Sequence, residues 1–281
     1  MSEPWMAASS RQEIKAALAT LGRVEDAEIP LAETALLLGA LDRPGVPLAR
    51  YQAHLAELAE SLATAAKASS EDPVTLLNRL LFETYGYAGD QATYDDLQNA
   101  NLLRVIDRKR GLPVALSILY LHAARSQGWH AEALRFPGHV LIRVESAAGR
   151  QIVDAFNGGR QLNPQDLRSL VKAVGGPEAE LTPAHIAPMG NREILLRLQN
   201  NIKVRLAQAG DQAGALTVLE TMLQLAPGEW QLWREAASLH MKASNLHAAA
   251  LALDQVIDLA APQEARFEAA QTLQAIQRQL N

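Results

Sequence analysis

The sequence predicts an α+β fold that is mostly helical. Three observations point there. Alanine and leucine dominate while aromatics reach only 5%, one short block alternates in hydrophobicity with period two, and everything beyond Asn191 keeps a helical period. Small and straight-chain residues favour helices, whereas a sandwich or barrel needs many β-branched and aromatic strands. With 48% hydrophobic and 20% charged residues in 281, packed cores are expected rather than wholesale disorder.

Taken in order, residues 1 to about 10 read as a loose leader. Ile14, Leu18 and Leu21 then share a helical face, and Pro30 and Pro47 stand where helices begin. Pro47–Ala68 is an alanine-rich amphipathic helix with Leu55, Leu58 and Leu62 on one side. Another helix is expected over about Pro73–Tyr85, carrying Leu76, Leu77, Leu80 and Leu81. A loop rich in Gly, Asp and Asn follows, then a short helix to Arg110 stopped by Gly111. Leu112–Gln127 is apolar nearly all round and is expected to be buried.

The texture changes after Gly128. AEALRF, HVLIRVES and RQIVDAF read as three antiparallel strands, separated by turn signals at Pro137–Gly138 and Ala147–Gly149. A buried helix followed directly by a small antiparallel sheet suggests a papain-like arrangement. Asn163–Val174 is a further helix, with Asn163 as N-cap and Pro164 at its first position. Gly175–Pro188 is a proline-bearing linker.

From Asn191 onward an internal repeat appears. Ala215 and Ala249 lie 34 residues apart, as do Leu219 and Leu253, and Met222 and Val256. Pro227 and Pro262 close the two units, and Trp233 falls where a tetratricopeptide repeat expects its tryptophan. Two degenerate repeats with Glu264–Leu280 as a capping helix are expected; small alanines at fixed positions let paired helices approach closely. Trp230 and Trp233 either fill the helix-pair core or line a groove. The expected domains are therefore an N-terminal helical segment (1–70), an α+β core (71–188) and helical repeats (189–281).

Composition excludes several classes. There is no cysteine, which removes disulfides, zinc-thiolate sites, iron–sulfur clusters and any cysteine nucleophile. His122, His130, His240 and His247 show no ligand spacing with carboxylates, so no metal site and no cofactor are expected. The net charge of -5 offers no global attraction to phosphate backbones. A basic run, Arg104, Arg108, Lys109 and Arg110, sits in the last turns of a helix, where the macrodipole favours cations; without interleaved aromatics it argues only weakly for nucleic acid. The N-terminus carries Glu3 and no apolar signal-peptide core, and no run of about 18 apolar residues exists. A cytoplasmic protein is expected.

The richest stretch is FPGHVLIRVESAAGRQIVDAFNGGR. His139 is expected to begin one strand and Asp154 to end a later one, fifteen residues on; a hairpin turning near Gly149 would bring the two together. An imidazole oriented by a carboxylate is the base-plus-orienter half of a nucleophilic site, although such pairs also serve as plain structural clasps. Other polar residues near this cleft are Asn99, Asn101, Arg143 and Asn157. Asn157-Gly158-Gly159 is first a turn signal, and Asn99 serves either as an amide donor to an oxyanion or as a loop cap.

The runs GLPVALSILYLHAARSQGW, FPGHVLIRV and IVDAFNGGR together resemble the SirB-type bacterial family (the SirB-one group) of transglutaminase-like proteins. The stretch LLFETYGYAGDQATYDDLQNANLLRVIDRKRG is similar to that family's lead-in, and GNREILLRLQNNIKVRLAQAGDQAGALTVLETMLQLAP to its junction into tetratricopeptide-type helices. The resemblance spans roughly Leu76 to Pro262. The family's tyrosine-aspartate-proline turn and asparagine-serine pair are replaced here by Tyr94-Asp95-Asp96 and Asn99-Ala100, so the hydroxyl at Ala100 is missing.

The resemblance implies a site plan. Active transglutaminase-like enzymes place a cysteine at the head of the helix before the histidine and aspartate strands, where the helix terminus lowers a thiol's pKa. Helix matched to helix, that position falls at about Pro113, which carries no nucleophile. Ser117, one turn further in, is the only side-chain hydroxyl in the helix's first two turns. Two functions are therefore expected. One is a non-catalytic module whose residues 191–281 bind a protein or peptide. The other is an amide or peptide hydrolase or acyltransferase using Ser117 or water, with His139 as base and Asp154 as orienter.

Overall fold

In the computed structural model, residues 10–147 and 149–280 are described. Most of the expected leader and the centre of the Ala147–Gly149 turn lie outside them. The described residues pack as two compact units, 10–14 with 25–198, and 15–24 with 199–280. The sequence-based boundaries at 70 and 188 are not those of this division, in which the helices between residues 31 and 68 share a unit with the sheet and residues 15–24, with most of α1 (Arg11–Leu21), belong with the C-terminal helices. The reason is the apolar face of the second long helix.

In the first unit, α2 (Leu31–Ala40) and α3 (Leu48–Ala68) start behind Pro30 and Pro47, as their φ-fixing rings suggest. Leu55, Leu58 and Leu62 of α3 are at most 2% exposed and face α6 (Pro113–Ser126), the buried apolar helix expected from the sequence. At roughly 2 kcal/mol for each fully buried leucine, this face alone ties α3 to the core. Between them, α4 (Pro73–Asn78) does not continue as an α-helix to Tyr85. Residues Arg79–Thr84 widen into a π-helix, and the Tyr85 amide bonds back five residues to Leu80. A two-residue parallel pair, β1 (Ala88–Gly89) with β2 (Arg110–Gly111), brackets α5 (Leu102–Arg108).

The sheet is an antiparallel meander in the order β3 (Ala131–Leu134), β4 (Leu141–Ser146), β5 (Gly149–Asp154) and β6 (Arg160–Leu162). Its register pairs Ile142 with Val153 and Asp154 with Arg160. The three expected strands are present; β6 is too short to show alternation in sequence. His139 does not begin β4. It stands two residues ahead, at the end of the Pro137–Gly138 turn, where Gly138 adopts φ +68°. Helix α7 (Pro164–Gly175) opens with a reciprocal capping box between Asn163 and Asp166. Its Leu167 and Val171 seal a small core with Leu134, Phe136 and Leu141. The unit ends in the first half of α8 (Asn191–Gln208), whose Asn191 and Arg192 amides donate to the Asp26 carboxylate.

The second unit holds α9 (Gln212–Leu225), α10 (Trp230–Lys242), α11 (Leu246–Leu259) and α12 (Gln263–Leu280), each packed on the next. The 34-residue spacing has a structural counterpart. Ala215, Leu219 and Met222 on α9 and Ala249, Leu253 and Val256 on α11 are all at most 4% exposed. Trp233 donates its indole N–H to the Pro227 carbonyl, 2.8 Å away, pinning the start of α10 to the preceding turn. No helix among the described residues is long and apolar enough to cross a membrane.

Candidate functional site

The β4–β5 hairpin brings its two ends together. His139 Nε2 lies 2.8 Å from Asp154 Oδ2, with Asp154 2% exposed and the imidazole side chain 18% exposed. The same Asp154 oxygen accepts from Asn157 Nδ2 at 2.7 Å, and the other accepts from the backbone N–H groups of Phe156 (3.0 Å) and Asn157 (3.3 Å). Burial pushes the Asp154 carboxyl up, but the hydrogen bond and charge of His139 and the bonds from Asn157 outweigh it and hold the group below its ordinary value. The carboxylate is an acceptor only, so the imidazole proton sits on Nε2. The second ring nitrogen, Nδ1, has no hydrogen-bond partner among the described residues.

Three supports fix this pair. Arg197 on α8, part-buried, donates from Nη2 to the carbonyls of Phe136 (2.9 Å) and His139 (2.6 Å), clamping the turn that carries the histidine. The loop after Asp154 is held by Asn78, whose Nδ2 donates to the Gly159 carbonyl at 2.8 Å; Gly159 sits at φ +76°, and a Cβ there would fall 2.0 Å from Asn78 Oδ1. Phe156 stacks edge-on against His139 at 6.0 Å and against Tyr94 at 5.7 Å. Gly89 lets that ring approach, since a Cβ would meet it at 2.6 Å. None of these long-range partners leaves a local sequence signal beyond the glycines themselves.

The other sequence-derived candidates divide sharply. Asn157 joins the pair directly. Ser117 on α6 is fully buried, and its Oγ has no hydrogen-bond partner, so it is bonded neither to His139 nor back to a helix carbonyl. Pro113 is the first residue of α6 and is buried. Asn99 donates to the Thr93 carbonyl (2.6 Å) and accepts from Arg108 (2.9 Å), so its amide serves a loop clasp. Asn101 caps α5 through the Leu103 and Arg104 amides and donates to Gly39 O on α2. Arg143 pairs with Glu132 across β3 and β4.

That loop clasp also absorbs much of the basic run. Arg108 donates to Asp90, whose carboxyl is pulled down to about 2 chiefly by hydrogen bonds from Thr93, with Arg108 adding to them. Lys109, at φ +56°, lays its ammonium 4.3 Å from the centre of the Tyr87 ring, and Arg110 donates to the Gly86 carbonyl. Among the described residues, no group of three or more histidines and carboxylates is placed to hold a metal ion.

The geometry can be set beside known proteins. A UPF0162 protein of Xylella fastidiosa is 29% identical over 228 residues, covering 79% of this chain and 81% of its own. Protein SirB1 of Salmonella typhimurium is 23% identical over 191 residues, covering 68% and 71%. Among solved structures, menin overlays with a TM-score of 0.43 at 10% identity, covering 93% of this chain and 68% of its own, a likeness too low for a shared fold to be read. The family description "Transglutaminase-like superfamily" matches residues 49–200, more than half of the chain and the whole of the His139/Asp154 site. The chain belongs to the transglutaminase-like superfamily.

Proposed function

We propose that this is a non-catalytic member of its superfamily, a regulatory or scaffolding module whose tetratricopeptide-like helices, residues 191–281, recruit a protein or peptide. The observation that carries this reading is the state of α6. Its head is Pro113, and the nearest hydroxyl, Ser117, is sealed without a partner. A serine acts as a nucleophile only when a base stands within roughly 2.6–3.2 Å of its oxygen. In this reading His139 and Asp154 serve as a clasp that locks the hairpin and its flanking turns. The equally buried alanine and leucine positions of α9 and α11 support a stacked-repeat reading of the second unit. The cytoplasmic setting belongs to the same proposal.

One observation favours a second reading. His139 Nδ1 is unpartnered while Nε2 is held by a carboxylate, which is the arrangement of a general base poised for water. The two readings separate in one experiment on the full chain. Under the first, a serine-directed fluorophosphonate leaves no label, and no amide in a substrate panel is cleaved in a manner sensitive to His139→Ala. Labelling abolished by Ser117→Ala, or cleavage abolished by His139→Ala, would establish the second.

A further inference from the structure

The first unit carries an open pocket of about 270 Å³ where the start of α2, the last turns of α6 and the head of α8 meet. Ile29, Leu31 and Ala32 give it an apolar wall, while Glu33, His122 and Arg125 bring charge and hydrogen-bonding groups to it. Arg125, part-buried, is only half satisfied. Its Nε donates to the Ala131 carbonyl (3.1 Å) and its Nη1 to Asn191 Oδ1 (2.8 Å). Its Nη2 has no partner among the described residues and is not sealed from solvent. No carboxylate there forms an ion pair with it: Glu132 is taken by Arg143, and Asp26 by the amides of Asn191 and Arg192. Burial therefore pulls the guanidinium down, against the more distant charges of Glu132 and Asp26. The opposite imbalance stands nearby. The Glu33 carboxylate makes no hydrogen bond among the described residues, and its Oε1 lies 4.0 Å from His122 Nδ1. His122 Nε2 donates to the Leu55 carbonyl at 3.0 Å, which leaves the lone pair of the neutral ring on Nδ1. Two acceptors thus face each other across a gap too wide for a hydrogen bond.

We infer that this pocket binds a small free aminocarboxylate, its carboxylate on Arg125, its ammonium between Glu33 and His122, and a short aliphatic chain against the apolar wall. Size, charge and geometry each select that class. The volume is that of roughly nine waters at about 30 Å³ each, which suits a free aliphatic amino acid and is too little for a folded peptide segment. A part-buried guanidinium without an anion and a carboxylate without a cation are both unfavourable, and one ligand bearing both charges relieves them together. A divalent cation would suit Glu33 and His122 but would be repelled by Arg125. Inorganic phosphate would suit Arg125 but meet the charge of Glu33. An ammonium has three donors and no acceptor, so it can donate to Glu33 Oε1 and His122 Nδ1 at once. His122 and Arg125 lie three residues apart on α6, so their Cβ atoms are about 5–6 Å apart on one helix face and a small ligand reaches both. The pocket lies wholly within the first unit, and the inference does not depend on recruitment by the second.

The test is calorimetric titration of the full chain at neutral pH with leucine, valine, β-alanine and γ-aminobutyrate. Isocaproate, which is leucine without its ammonium, and isoamylamine, which is leucine without its carboxylate, serve as half-ligands beside inorganic phosphate. At least one amino acid should bind, and each half-ligand should bind at least about tenfold more weakly than leucine or not at all. Glu33→Gln removes only the charge of a carboxylate that holds no hydrogen bond, so the fold should tolerate it. It should weaken the best amino acid about tenfold and leave isocaproate unchanged. Glu33→Lys, shown to be folded by urea unfolding, should exchange the amino acid for a dicarboxylate such as glutarate. The inference is overturned if no amino acid binds the native chain, or if isocaproate or phosphate binds as tightly as leucine. Amino-acid binding indifferent to Glu33→Gln overturns it as well.

Discussion

Asp154 gathers four hydrogen bonds from three residues, so its removal strands more polar groups than any other single change at the site. Asp154→Ala should lower stability by about 2–4 kcal/mol in urea unfolding, since it leaves buried donors unmet. His139→Ala, which frees one acceptor site of a carboxylate that keeps three other bonds, should cost about 1 kcal/mol. Equal losses from the two would contradict the clasp as drawn. The acidic residues also set a pH dependence. The folded carboxyls of Asp154 and Asp90 lie below their ordinary 3.8, so the stability they contribute is complete above about pH 4. It is lost as pH falls through the folded values, for Asp90 near 2. Asp90→Asn should therefore destabilise at neutral pH, and its gap from the native chain should close between pH 4 and 2. A gap constant across that range would show that Arg108 and Thr93 do not hold Asp90 as described.

At the scale of elements, α6 and the loop after β5 give the clearest tests. An unpaired buried hydroxyl contributes nothing to folding, so Ser117→Ala should leave stability unchanged or raise it by up to about 1 kcal/mol. A clear loss would reveal a partner for Ser117. Gly159→Ala should cost about 2 kcal/mol or more, because it needs both a left-handed backbone and the space occupied by Asn78. Much of this was legible beforehand. A buried helix, three alternating strands and the turn glycines place His139 and Asp154 at adjacent ends, and Asn163 with Pro164 marks a helix start. The rest was not. Arg197 reaches His139 across 58 residues and Asn78 reaches Gly159 across 81, distances over which no local period carries information. The π-helix at Arg79–Thr84 escapes because Leu76, Leu77, Leu80 and Leu81 satisfy an ordinary helical stripe. Asn99 and Asn101 were drawn toward the cleft by their chemistry, yet their amides are spent on a loop and a helix cap.

For the molecule as a whole, a superfamily core that keeps its His139–Asp154 pair and carries Pro113 at the head of α6 is followed along the chain by a unit of stacked helices. The most direct test is a crosslinking survey of partners made with the full native chain, with a His139→Ala form, and with a Leu251→Glu form, each shown to be folded. A reproducible partner set that survives His139→Ala and is lost with Leu251→Glu is expected. Partners indifferent to the helical unit, or an in vitro turnover that His139→Ala abolishes, would contradict it.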